Sequence, residues 1–141
     1  GGGSGAAGGG IVLESVSPET KLIGVQAEEA PAAWLSWKEG RLVEAPMTTS
    51  AEGLATRCAF ELTQDMLRRH LDDFVLVSEE EMNEAVRILL EKTRNLAELS
   101  GAAALAAALK LKDRLAGEKT AVVLSGGNIS TVQLREMLRT T

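Results

Sequence analysis

Two periods of apolar and polar residues run through the chain. Residues 21–27 (KLIGVQA) and 74–77 (FVLV) are short apolar runs rich in branched side chains and bounded by turn-formers, the pattern of buried strands. Residues 120–124 (TAVVL) repeat that pattern and predict a third strand, which delivers the chain to Ser125-Gly126-Gly127-Asn128. The stretches between them carry helical spacing. Behind the segment SEEE, Met82, Ala85, Val86, Leu89 and Leu90 recur on one helix face, and Ser78 with a glutamate three residues later is a capping-box signature. Residues 30–38 (APAAWLSWK) place Pro31 in a first turn and Gly40 at a stop, so Trp34 and Trp37 share a face. Further helices are predicted over 61–71, over the alanine-rich 101–115 with Gly117 as its stop, and from the cap Ser130 to about Leu138. Residues 11–16 close a helix begun near Gly5, although each glycine lowers its helicity by about 1 kcal/mol relative to alanine. Residues 42–60 have no period and contain Pro46, Thr48, Thr49, Ser50 and Gly53, which predicts a long loop of the kind that usually serves function. Strands alternating with helices across short turns predict an α/β layer with a parallel sheet.

Composition narrows the function classes. A chain of 141 residues with 45% apolar and 25% charged residues is the size and make-up of one globular domain. A net charge of -5 lacks the basic face that nucleic acid requires, so no nucleic-acid partner is expected. No apolar run reaches the roughly 20 residues that span a bilayer, and no signal-peptide pattern opens the chain, so a cytoplasmic setting and no membrane partner are expected. One cysteine, Cys58, and one histidine, His70, cannot build a cysteine or histidine metal site. Cys58 is expected to be a packed small residue, and His70, beside Arg68 and Arg69 near a helix end, a surface cation for the helix dipole. The chain starts at Gly1 directly on GGGSGAAGGG, which leads us to expect a fragment of a longer protein.

That glycine run admits three readings. Residues 3–8 satisfy GxGxxG, but the nicotinamide fingerprint also needs a preceding strand and an acidic ribose ligand, and the downstream position, near Gln26, is uncharged. A flexible glycine-serine linker is the second. The third is a phosphate cradle, in which residues lacking a Cβ let backbone N–H groups converge on an anion at a helix start. LSGGN at 124–128 is a polar, glycine-flanked turn of the sort that receives ligands in open α/β sheets, or simply a tight strand-to-helix turn.

Taken in order, GGGSG, LIGVQAEEAPA, AEGLA, DDFVLVSEEE, AELSGAAALAA and VVLSGGN resemble the second half of the pyridoxal-phosphate-dependent threonine dehydratases, which include serine racemase and serine dehydratase relatives. The resemblance implies the C-terminal part, over 1–141, of the large cofactor domain of a fold type II enzyme, an α/β three-layer sandwich with a mostly parallel sheet, with residues 1–10 as phosphate loop, 42–60 as active-site loop and 119–128 as a strand and turn. It implies that Gly1, Gly2, Gly3, Ser4 and Gly5 bind the phosphate of pyridoxal 5'-phosphate through their backbone. It further implies that Ser125 hydrogen-bonds the pyridine nitrogen, with Gly126 and Asn128 beside it. A neutral hydroxyl does not hold that nitrogen protonated, which favours β-elimination over reactions that need a long-lived carbanion. Gly53 matches the glycine of the family's ADGLA loop, with Glu52 in place of aspartate. Glu98 matches a glutamate near the cofactor ring, although Leu99 and Ser100 depart from the family's pattern there; a carboxylate at a helix start explains Glu98 equally well.

Some members of that family hold a divalent cation at positions that here look like Gln26 and Ala32, neither a charged oxygen ligand, so no metal is expected. The six lysines, Lys21, Lys38, Lys92, Lys110, Lys112 and Lys119, match none of the family's Schiff-base context. The resemblance therefore implies a threonine or serine ammonia-lyase whose catalytic lysine lies outside this chain, which alone would be inactive. A homo-oligomer, or pairing with the missing N-terminal half, is expected. A truncated, non-catalytic cofactor-binding module remains the alternative, with Trp34 and Trp37 as a candidate interface although core packing is their default reading, and a nicotinamide domain the more distant one.

Overall fold

The computed structural model describes residues 1–139. Two strands, β1 (Ile23–Ala27) and β2 (Asp73–Val77), form a parallel pair in which Ile23 lies opposite Asp73 and Ala27 opposite Val77. Parallel strands need a crossover. Here it is made by α2 (Ala32–Glu39), the 42–60 segment and α3 (Glu61–His70). The chain before β1 forms α1 (Ser4–Val16), and β2 is followed by α4 (Glu79–Ile88), a π-helical turn over Leu89–Thr93, α5 (Leu99–Lys110) and α6 (Thr131–Arg139).

The period-two pattern of the strands divides the core into two. On one face, Val25, Ala27, Val75 and Val77 meet Met82, Ala85 and Val86 of α4 and Ala102, Ala103 and Ala106 of α5. Alanine at these positions of α5 lets its backbone approach the sheet and α4 closely, as the sequence anticipates. On the other face, Phe74 and Leu71 pack with Ala7 of α1, Ala33 of α2 and Leu67 of α3. Helices thus cover both faces of a parallel sheet, an α/β arrangement in three layers. Trp34 and Trp37 belong to this second core: their indole N–H groups donate to the carbonyls of Phe74 (2.8 Å) and Leu67 (3.3 Å).

The helix starts follow their local chemistry. Ser78 accepts from the Glu81 N–H at 3.2 Å while the Glu81 carboxylate accepts from the Ser78 N–H at 2.8 Å, completing the capping box of α4. α1 begins at Gly3, which has φ +82°, a left-handed conformation that disfavours any side chain.

Four expectations are corrected. Residues 120–124 form no strand, and Val122, Val123 and Leu124 are 42–72% exposed; the described sheet contains only β1 and β2, so this apolar run has no ladder to join. α5 ends at Lys110 rather than near residue 115, and turns carry the chain to Gly117, where φ is +83°. The His70 side chain is only 7% exposed, because Gly10 on α1 leaves no Cβ to occupy the space its ring fills. Cys58 is exposed and pairs only through an isolated antiparallel bridge with Glu44.

Candidate functional site

Three segments far apart in sequence meet at one end of the sheet. The first is the glycine loop and the start of α1. Gly1 lies so close to Gly53 that a Cβ on it would strike the Gly53 carbonyl, and a Cβ on Gly53 would in turn lie 2.7 Å from Ser100 Oγ. Gly2 packs beside the Phe60 ring, and the Leu67 side chain closes the space beside Gly3. Ser4 and Gly5, in the first turn of α1, are exposed. First-turn N–H groups have no intrahelical acceptor and carry the positive end of the helix dipole, so this turn offers donors to an anion.

The second segment is 48–54. The Glu79 carboxylate, in the first turn of α4, accepts from Thr49 Oγ1 (2.6 Å), the Ser50 N–H (2.6 Å) and Ser50 Oγ (2.5 Å). Burial pushes the Glu79 carboxyl up, but these donors outweigh it and hold it below the ordinary carboxylate range. This clamp sets the course of the chain into the 3-10 turn Glu52–Leu54, which carries Gly53.

Third comes the start of α5 against residues 126–129. Glu98 is the N-cap residue of α5, yet its side chain makes no capping bond. Its N–H instead donates to the Gly126 carbonyl at 3.1 Å, and a Cβ on Gly126 would collide with Glu98 Oε1. A Cβ on Gly101 would likewise strike the Gly126 carbonyl. Glycine at 126 and 101 is therefore what lets the turn press against the helix start. A narrow cleft of about 20 Å³ opens here, lined by Ser50, Glu52, Glu98, Ser100, Asn128 and Gln133 among others.

The structure thus joins Gly1 to Gly53, Glu98 to Gly126, and Glu98 to Asn128 across the cleft. Ser125 is exposed one residue from Gly126, and neither it nor Ser4 and Gly5 line the cleft. The sequence reading missed Ser100, which touches Gly53, Thr63, whose hydroxyl donates to the Gly2 carbonyl at 2.7 Å, and the tethering role of Gln26. Gln26 carried a signal, being the one polar side chain in the run LIGVQA. None of the lysines with described polar or ring contacts serves this site. Lys110 bonds Glu28, Glu81 and the Leu76 carbonyl, and Lys38 lies 4.6 Å from the centre of the Trp34 ring.

A family profile described as "Pyridoxal-phosphate dependent enzyme" matches residues 1–127. Among curated proteins, the chain is 38% identical over 130 residues to an L-threonine ammonia-lyase of Thermotoga maritima, covering 92% of this chain and 32% of that protein. It is 33% identical over 140 residues to a catabolic L-threonine dehydratase of Escherichia coli K12, covering 97% of this chain and 43% of the relative. Its fold superposes on the crystal structure of a T.th. threonine deaminase with a TM-score of 0.86 at 39% identity, over 92% of this chain and 48% of that one. On the processed form of threonine deaminase isoform 2 from Solanum lycopersicum the TM-score is 0.90 at 30% identity, over 99% of this chain and 41% of that one. The chain therefore spans less than half the length of these relatives.

Proposed function

Because the chain belongs to the pyridoxal-phosphate dependent enzyme family, we propose that it is the phosphate- and ring-contacting portion of a threonine dehydratase-like ammonia-lyase. The proposed reaction converts L-threonine to 2-oxobutanoate and ammonia. The observation that carries this reading is the glycine loop itself: three leading glycines feed the first turn of a helix, with Gly1 against Gly53, Gly2 against the Phe60 ring and Gly3 against Leu67, where a Cβ would crowd each neighbour. The names of its relatives as threonine ammonia-lyases and dehydratases support the substrate class.

The residues fit the cofactor. Backbone N–H groups of Gly2, Gly3, Ser4 and Gly5 hold its phosphate, an assignment favoured by the exposed, donor-rich start of α1, while the Gly1 nitrogen is turned to Gln26. Gly53 leaves room beside it. Ser125 offers its hydroxyl to the ring nitrogen, and Gly126 and Asn128 continue that turn. Glu98, its carboxylate not engaged in capping, faces the turn from the other side. When bound, pyridoxal phosphate supplies the electron sink that acidifies the substrate α-carbon and lets the β-hydroxyl leave. Ser125, as a neutral partner, favours elimination over reactions that need a long-lived carbanion, whereas a carboxylate there would hold the ring nitrogen protonated.

We assign the Schiff-base role to none of the lysines at 21, 38, 92, 110, 112 and 119, so a lysine from a segment outside residues 1–141 completes the enzyme. An assay of 2-oxobutanoate formation tests this. Threonine turnover is expected only when the lysine-bearing segment accompanies this chain. Turnover by residues 1–141 alone would overturn the lysine assignment, and no turnover by the complete enzyme would overturn the reaction.

A further inference from the structure

Three consecutive glycines are the most costly residues to hold in one pose, since glycine loses more backbone freedom on ordering than any other residue. Two side chains pin them. Gln26, near the end of β1 and 1% exposed, accepts from the Gly1 amino group through Oε1 at 2.6 Å. Its Nε2 donates to the carbonyls of Ala30 (2.7 Å) and Leu54 (3.1 Å), so both amide hydrogens and the oxygen are used. Thr63, in the first turn of α3, donates from Oγ1 to the Gly2 carbonyl at 2.7 Å. One turn further along α3, Leu67 closes against Gly3.

We propose that Gln26 and Thr63 are positioning residues for phosphate binding: together they fix the Gly1 nitrogen and the Gly2 carbonyl of the glycine loop, and Gln26 ties that pose to the Gly53 turn through Leu54. The inference rests on the phosphate-loop reading above. Its physical basis is preorganisation, in which a loop already ordered loses less entropy when the anion arrives. Neither side chain needs to touch the ligand. Each acts through a backbone group it bonds, and Gln26 acts on two loops at once, 25 and 28 residues distant.

The test compares equilibrium dialysis of pyridoxal 5'-phosphate with that of pyridoxal, which lacks the phosphate, using the full chain. Thr63→Val removes the hydroxyl with little change of shape. It should weaken binding of the phosphorylated ligand roughly fivefold, the scale of one hydrogen bond, while leaving pyridoxal binding unchanged, and Thr63→Ser should restore it. Gln26→Leu should produce a larger loss with the same selectivity. If Gln26→Leu does not fold, the Thr63 pair still decides. Wild-type preference for the phosphorylated ligand in Thr63→Val, or equal weakening of both ligands, would overturn the positioning role. A wild-type chain that binds both ligands equally would instead overturn the phosphate-loop reading, and the positioning proposal with it.

Discussion

Replacing Gly3 with alanine perturbs the start of α1 at its most constrained point. Gly3 sits at φ +82°, ψ 1°, where an L-residue costs about 1–2 kcal/mol. The new Cβ would lie 2.9 Å from Leu67 Cδ1, roughly half an ångström inside ordinary contact, and Leu67 is 1% exposed, so it must leave its preferred rotamer. An off-rotamer side chain adds about 0.5–1.5 kcal/mol. The two effects sum to about 2–3 kcal/mol, which for a domain of this length lowers Tm by roughly 7–10 °C. Gly8 is the internal control. It lies inside the same helix with nothing within 4 Å of a built Cβ, so Gly8→Ala should stabilise by about 0.5–1 kcal/mol. Thermal unfolding followed by the fluorescence of Trp34 and Trp37 reads both, and dialysis of pyridoxal 5'-phosphate reads the loop. Gly3→Ala as stable as the parent would refute the left-handed start. A destabilised Gly3→Ala that still binds the phosphorylated ligand at full strength would refute the cradle.

Other outcomes follow from the same geometry. Met82, fully buried between α4 and the sheet, should cost about 2–5 kcal/mol when cut to alanine, measured as a shift in the urea midpoint at constant slope. The Glu79 carboxyl is held below its ordinary value of 4.5. Its stabilisation is therefore complete above that value and lost as pH falls through the lower folded one, so urea unfolding at about pH 6 and about pH 3 should show an acid-side loss that Glu79→Gln reduces. In the complete enzyme, Ser125→Asp should shift partition from elimination toward transamination, read as the ratio of 2-oxobutanoate to the amino form of the cofactor. An unchanged ratio would remove Ser125 from the ring.

What could be read in the sequence was what short-range chemistry determines. Ser78 and Glu81 cap α4 because both partners lie within one turn, and the apolar runs ending at Ala27 and Val77 become strands because each finds the other. TAVVL has the same composition but no neighbour in the described sheet, and its side chains stay exposed. A strand is a property of a pair, and one segment's pattern does not contain its partner. His70 and Cys58 failed for the same reason. A histidine beside two arginines looks like surface until Gly10 of another helix makes room for its ring, and a cysteine with small neighbours looks packed until the loop places it outward. The candidate site was legible as motifs and illegible as geometry. The family resemblance pointed to Gly53, Glu98 and Gly126, but the contacts from Gly1 to Gly53 and from Gly126 to Glu98 arise only on folding. Gln26 stood out as polar in an apolar strand, yet its partners, Gly1 and Leu54, are non-local.

The central claim is that the start of α1 holds a phosphate, and amide NMR tests it most directly. Titration of inorganic phosphate into the 15N-labelled chain should shift the amide resonances of Gly2, Gly3, Ser4 and Gly5 most, with one saturating affinity. Shifts absent from those four amides, or confined to exposed cations such as Arg68 and Arg69, would contradict it.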